Sequence, residues 1–278
     1  MSDSRDRPIG VFDSGMGGLT VMRALMARLP NESFAYLGDT ARLPYGSKSA
    51  ETVKRYAVQC ARALVAHDIK LLVVACNTAS ATALPVLTEA LAPTPVIGVI
   101  EPGAEAAIAA APSGRIAVIA TEGTVKGGAY ERAIHARKAD AAVTQQPCPL
   151  FVALAEEGLT SGPIAELVSK RYLDPLLARA LERPDCLVLG CTHFPALKHT
   201  IAKVAGPGIA LVDSAETTAA AVERLLAKRN LAHGPSAPAE PRFLATDAPE
   251  RFARVGEIFL GRTIPAEAVE QVDLQQLQ

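Results

Sequence analysis

Short apolar or β-branched runs recur along the chain at residues 9–12, 34–37, 71–75, 96–100, 116–120, 187–190, 209–212 and 242–245. Each has the length of a strand, and most are separated by stretches with the periodicity of a helix. The clearest such stretch covers residues 49–68. There Val53, Tyr56, Ala57, Cys60 and Leu64 recur at helical spacing while Lys54, Arg55 and Arg62 take the other side. Strand alternating with helix predicts an α/β protein with parallel sheets flanked by helices. A Pro- and Gly-rich loop is expected over residues 233–241, with a last strand and a last helix, residues 249–260, after it.

Length changes this picture only by dividing it. The 278 residues fit about two domains of ~100–150 residues, and two domains imply a cleft between them. Composition then narrows the function. Hydrophobic residues make up 49% of the chain, with no Trp and only 4% aromatics, so there is little surface for stacking bases or sugars. Lys and Arg total 28 against 29 Asp and Glu, which leaves no global field to hold a polyanion, and nucleic acid is not an expected partner. The opening residues Met1 to Arg7 are polar and do not read as a signal peptide, and no apolar run is long enough for a membrane helix, so a cytoplasmic protein is expected. Five cysteines at irregular spacing do not suggest a disulfide framework.

A faint internal repeat carries the most information. Leu71-Leu72-Val73-Val74-Ala75-Cys76-Asn77-Thr78 reads like Cys186-Leu187-Val188-Leu189-Gly190-Cys191-Thr192-His193: a buried strand runs into a cysteine followed by polar residues. Each is preceded by another strand with a polar, Gly-containing exit, Asp13-Ser14-Gly15-Met16-Gly17-Gly18 in the first case and Thr121-Glu122-Gly123-Thr124 in the second. Two pseudo-equivalent halves are predicted, each offering a thiol at the carboxyl end of a strand, where open α/β sheets place their ligands. If the halves face each other, two thiols face one ligand.

Inverting a carbon that bears an acidic hydrogen requires a base on one face and an acid on the other, and two matched cysteines supply both. A free thiol has a pKa of ~8.5, lowered at a helix N-terminus or beside a cation, so thiol and thiolate can coexist near neutral pH. Helices are expected after both cysteines, at residues 78–91 and 196–204, and their positive ends suit thiolate and carboxylate alike. Cys60, Cys148 and Cys186 are read as buried structural thiols. No C-x-x-C pair exists, and Cys191-Thr192-His193 alone offers too few ligands for zinc, so no metal is expected. His193, two residues after Cys191, is placed to serve that thiol, and Asp13 to serve Cys76. Gly15-Met16-Gly17-Gly18-Leu19-Thr20 lacks the third glycine of a dinucleotide fingerprint and is read as an amide cradle for a carboxylate. Taken alone, Pro44-Tyr45-Gly46-Ser47 is an ordinary turn and Glu156-Glu157-Gly158 a solvated helix end.

Taken together, Gly10 to Val21, Gly38-Asp39-Thr40, Pro44-Tyr45-Gly46, Cys76 to Ala81, Gly123 to Lys126 and Leu189 to Pro195 resemble the aspartate/glutamate racemase family, and within it the glutamate racemases, over nearly the whole chain. The resemblance implies two flavodoxin-like halves around a cleft, with residues 1–97 and 208–278 in the first and 98–207 in the second. It implies interconversion of L- and D-glutamate without pyridoxal phosphate or metal, to supply peptidoglycan synthesis, with a homodimer common among relatives. By similarity Cys76 and Cys191 are acid and base. Asp13, Ser14, Tyr45, Gly46, Asn77, Thr78, Thr192 and His193 hold substrate; Asp13 assists Cys76, and His193 with Glu157 assists Cys191. Gly127 and Phe194 stand where relatives often have Ser and Tyr. An aspartate or hydantoin racemase is the nearest rival. A dicarboxylate-binding protein would not need two thiols, and a cysteine hydrolase would need only one.

Overall fold

The computed structural model describes residues 4–178, 183–234 and 238–274. The expected loop at 233–241 contains positions 235–237, and the polar N-terminus positions 1–3, which lie outside the described residues.

The first half runs β1 (Ile9–Asp13), α1 (Leu19–Arg28), β2 (Phe34–Gly38), α2 (Ala50–Val65), β3 (Leu71–Val74), α3 (Asn77–Ala90) and β4 (Val96–Gly98). The second runs α4 (Ile100–Ala110), whose buried face packs on this half's sheet, β5 (Arg115–Ala120), α5 (Glu122–Gly127), α6 (Ala129–His135), β6 (Ala142–Pro147), α7 (Leu150–Glu156), α8 (Gly162–Leu177), β7 (Cys186–Gly190), α9 (Lys198–Ala205), β8 (Ala210–Asp213) and α10 (Ser214–Arg229). The chain ends with β9 (Arg242–Ala245), α11 (Pro249–Leu260) and β10 (Val269–Gln271).

All strand pairings among the described residues are parallel, in two sheets ordered β10-β9-β2-β1-β3-β4 and β6-β5-β7-β8. The order 2-1-3-4 in the first sheet recurs as 6-5-7-8 in the second, so β1 corresponds to β5 and β3 to β7. The central strands β1, β2, β3 and β7 are buried at every position, as expected for strands covered by helices on both faces. Helix α2 starts where Ser49 accepts a hydrogen bond from the Thr52 amide at 3.3 Å, and its buried face carries Val53, Ala57, Cys60 and Leu64.

Two strands carry no apolar run in the sequence and appear only in the structure. Both β6 and β10 are edge strands with part of their surface in water, and β6 reads Ala-Val-Thr-Gln-Gln-Pro. Edge strands pack on one side only and do not need continuous apolar residues. The expected boundaries also shift. Position 97 lies inside β4, and the chain leaves the first sheet after Gly98. The return expected at 208 comes too early, because β8 pairs with β7 in register Cys186↔Ala210 to Leu189↔Asp213 and so belongs to the second sheet. The return follows Asp213, through α10 packed on α1.

Candidate active site

In each sheet the chain winds in opposite directions from two adjacent central strands, β1 and β3 in the first, β5 and β7 in the second. A crevice opens at the carboxyl ends of such a pair. Asp13 ends β1, and Cys76 follows β3 and caps α3, its Sγ 3.5 Å from the Ala79 amide that donates to it. The Cys76 thiol donates in turn to Ser14 Oγ at 3.6 Å. Asp13 is fully buried: one carboxylate oxygen accepts from the Gly15 amide at 2.9 Å, and the other accepts from the Thr192 hydroxyl of the second half at 3.3 Å. Tyr36 donates to the Gly15 carbonyl at 2.8 Å and pins the loop from below.

The second crevice holds Cys191 directly after β7. Its Sγ lies 3.8 Å from His193 Nδ1, and His193 Nε2 lies 3.1 Å from Glu156 Oε1 at the end of α7. The other Glu156 oxygen accepts from Arg251 at 3.0 Å. Phe259 meets the imidazole edge-on, ring centres 5.0 Å apart.

The halves meet with little space between them. A Cβ on Gly17 would stand 2.5 Å from His193, and one on Gly46 would stand 2.7 Å from Thr121, so both positions require glycine for close approach. The hydroxyls of Thr78, Thr121 and Thr124 lie 2.9–3.1 Å apart and join α3 to α5. Tyr130 donates to Asn77 Oδ1 at 2.7 Å, which leaves the buried Asn77 Nδ2 as a donor without a partner among the described residues. Burying an amide donor unpaired costs about 1–3 kcal/mol, so such a group is suited to a ligand. Next to this closed centre a cavity of about 470 Å³ opens between the 44–47 turn, the start of α5 and α7, lined in part by Gly46, Ser47, Thr121 and Glu156. Cys76 and Cys191 are themselves only 5% and 6% exposed, so a ligand that reaches both is cut off from bulk water.

The two thiols sit in unlike fields. Burial pushes the Cys76 thiol up to about 12, and the Asp13 charge adds to it against the opposing Ala79 amide and Ser14 hydroxyl. Burial also raises Asp13, partly offset by the charge of His193 and by the Gly15 and Gly18 amides. For His193 burial acts downward, but hydrogen bonds to Cys191 and Glu156 outweigh it and carry the imidazole up to about 10. Glu156 falls below the ordinary carboxylate range: burial opposes the fall, and the bonds to His193 and Arg251 overcome it. His193 is thus held toward its cationic form, with Nδ1 beside the Cys191 sulfur. The arrangement sets two thiols at the carboxyl ends of β3 and β7, each beside an ionisable partner, Asp13 for Cys76 and His193 for Cys191.

Of the residues singled out in the sequence, Asp13, Ser14, Cys76, Asn77, Thr78, Cys191, Thr192 and His193 gather around one crevice, with Gly46 on the adjoining cavity. Tyr45 departs from the expectation. Its ring is fully buried and its hydroxyl donates to Asp39, so only the backbone of the 45–47 turn remains to meet a ligand. Glu157 also departs: it is exposed, and its neighbour Glu156 turns inward to His193. Glu156, Thr121, Thr124, Tyr130 and Arg251 were not singled out as site residues. For Thr121 and Thr124 the signal was present, because β5 exits where β1 does in the other half. Cys60, Cys148 and Cys186 are buried free thiols outside the crevice's pair, and burial raises all three. No group of three or more His, Cys, Asp and Glu side chains suited to a metal occurs among the described residues. Nor, among them, is any helix long and apolar enough to cross a membrane.

Comparison with known proteins agrees with this geometry. The family model of Asp/Glu/hydantoin racemases matches residues 9–222. The glutamate racemase of Syntrophus aciditrophicus is 49% identical over 267 residues, covering 96% of this chain and 97% of that one. The crystal structure of glutamate racemase from Francisella tularensis, in complex with D-glutamate, superposes with a TM-score of 0.89 at 40% identity, covering 98% of this chain and 99% of that one. The structure of isoform RacE1 from Bacillus anthracis, also a glutamate racemase, gives a TM-score of 0.91 at 38% identity, covering 97% and 98%. The chain belongs to the Asp/Glu/hydantoin racemase family and groups within it with the glutamate racemases, which are isomerases.

Proposed function

We propose that this protein interconverts L- and D-glutamate by a two-base mechanism in which Cys76 and Cys191 act on opposite faces of the α-carbon. The observation that carries this reading is the pair of thiols at corresponding strand ends of two pseudo-equivalent halves, which meet beside both thiols through Asp13 with Thr192 and Gly17 with His193. Glutamate as the substrate is supported by the D-glutamate complex of the Francisella relative.

In one direction Cys191, as thiolate with His193 beside it, removes the α-hydrogen as a proton, and the Cys76 thiol delivers its own proton to the other face. In the reverse direction the thiols exchange roles. Each turnover leaves the proton on the wrong sulfur, and Asp13 beside Cys76 and His193 beside Cys191 redistribute it. The substrate's carboxylates are held by amides at the start of α3 and α5 and in the 45–47 turn, with Asn77 Nδ2, Ser14, Thr78 and Thr192 completing the cradle. A dry crevice strengthens these charge interactions and protects the carbanion-like intermediate from stray proton exchange. We place the enzyme in the cytoplasm as a source of D-glutamate for peptidoglycan, acting as a homodimer.

The test is replacement of each thiol. Cys76→Ala and Cys191→Ala should each abolish racemisation of glutamate while glutamate binding stays measurable, and aspartate should be inert with the wild type. Near-normal turnover in either variant contradicts the scheme.

A further inference from the structure

We infer that the C-terminal helix α11 is the brace of the Cys191 side of the site, with Arg251 and Phe259 acting as positioning residues for His193 across the boundary between the two halves. The inference rests on the reading of Cys191 and His193 as an acid/base pair.

Helix α11 belongs to the first half. It lies against that sheet through fully buried Phe252, whose ring centre is 5.8 Å from Tyr36 and 6.3 Å from Phe243. Gly256 brings it close to α1, since a Cβ there would meet Leu19 at 2.9 Å. From this anchored helix two side chains reach residues of the second half. Arg251 donates to Glu156 Oε2 at 3.0 Å while Oε1 is engaged by His193 at 3.1 Å. With both oxygens held, the carboxylate cannot rotate away from the imidazole. Phe259 stands edge-on to the same imidazole at 5.0 Å and 74°. Glu156 thus fixes Nε2, Phe259 and the bare α-carbon of Gly17 confine the ring, and Nδ1 is left aimed at Cys191 Sγ. The ionisable groups facing His193 are Cys191, Glu156 and Asp13, and those facing Glu156 are His193 and Arg251. Among the described residues Arg251 is the first half's ion-pair partner for Glu156.

Arg251→Gln removes the second anchor and the positive charge. We expect a roughly fivefold fall in kcat, the upper range for a partly exposed ion pair, with KM little changed. The acid limb of the kcat profile moves to higher pH, because Glu156 without Arg251 takes up a proton more readily. Arg251→Lys restores both values, since a single contact to Oε2 needs only a point charge. Phe259→Leu lowers kcat without moving the acid limb, as Phe259 carries no charge. An unchanged kcat and acid limb in folded Arg251→Gln, or a loss that Lys does not restore, overturns the assignment of Arg251. An unchanged kcat in Phe259→Leu overturns that of Phe259. Wild-type racemisation in the same assay separates this failure from failure of the underlying reading. The NMR titration of the His193 imidazole in wild type and Arg251→Gln gives a readout independent of turnover, and superimposable titration curves overturn the brace.

Discussion

Gly17→Ala isolates the contact between the halves with the smallest possible change. Gly17 has no left-handed backbone requirement, so an alanine costs nothing in backbone strain there, and its effect comes from contact alone. The new methyl would lie 2.5 Å from both Nδ1 and Cε1 of His193 and 2.6 Å from Thr192 Oγ1. Ordinary van der Waals separation is about 3.5–4.0 Å, so roughly 1 Å must be found. The imidazole cannot supply it by swinging away, because Glu156 holds its far nitrogen and Phe259 packs against the ring. The displacement therefore falls on the geometry between His193 and Cys191 or on the closure of the crevice. A misplacement of about 1 Å at a reacting group costs about 100-fold in rate, equivalent to about 2.7 kcal/mol of barrier. Overpacking costs about 1–3 kcal/mol of stability, which lowers the melting temperature of a protein of this size by a few degrees and leaves it folded at 25 °C. The assay is circular dichroism of glutamate under saturating substrate, with thermal unfolding alongside. Gly127→Ala is the control, because its Cβ would meet nothing closer than Ala81 at 3.9 Å, and it should retain wild-type activity. A folded Gly17→Ala enzyme with near-normal kcat would refute the claim that His193 is held rigidly against the glycine loop.

Three other outcomes follow from the same geometry. His193 has its folded pKa raised from 6.5 to about 10, so its contribution to stability is fully present below about 6.5 and is lost as pH rises through about 10; melting temperatures of wild type should decline over that window more steeply than those of His193→Gln. Tyr130→Phe releases the Asn77 amide without touching the thiols, and KM for glutamate should rise about fivefold, the worth of one hydrogen bond, with kcat nearly unchanged. Added chelator or pyridoxal phosphate should leave kcat and KM as they were, and chelator sensitivity would point to a metal in the reaction.

The central strands and the thiol pair were legible in the sequence for one physical reason. Strands such as Leu71–Val74 and Cys186–Gly190 are buried on both faces, so their apolar runs are continuous, and the polar residues at which they end mark the carboxyl edge where ligands bind. The repeated pattern around Cys76 and Cys191 reflects the repeated strand order of the two sheets. Edge strands β6 and β10 were not legible, because one exposed side frees them from apolar patterning. The direction of a side chain was not legible either. Glu156 and Glu157 are neighbours at a helix end, and only the position of His193 decides which is turned inward. Tyr45 sits in a turn that faces the crevice, yet Asp39 offers its hydroxyl a buried acceptor, and the ring follows that bond into the core. Arg251 lies far along the chain from every residue it serves, and no local pattern announces it.

The central claim is that two thiols on opposite faces divide the proton transfer between them. Wild-type enzyme incubated with L-glutamate in heavy water, sampled early in the reaction, tests it directly. Mass spectrometry after separation of the enantiomers reads the isotope at the α-carbon of each. The account predicts that the D-glutamate formed carries solvent deuterium while the remaining L-glutamate keeps its hydrogen. D-glutamate that retains the substrate's own hydrogen would show a single base returning the proton it took, and would contradict the account.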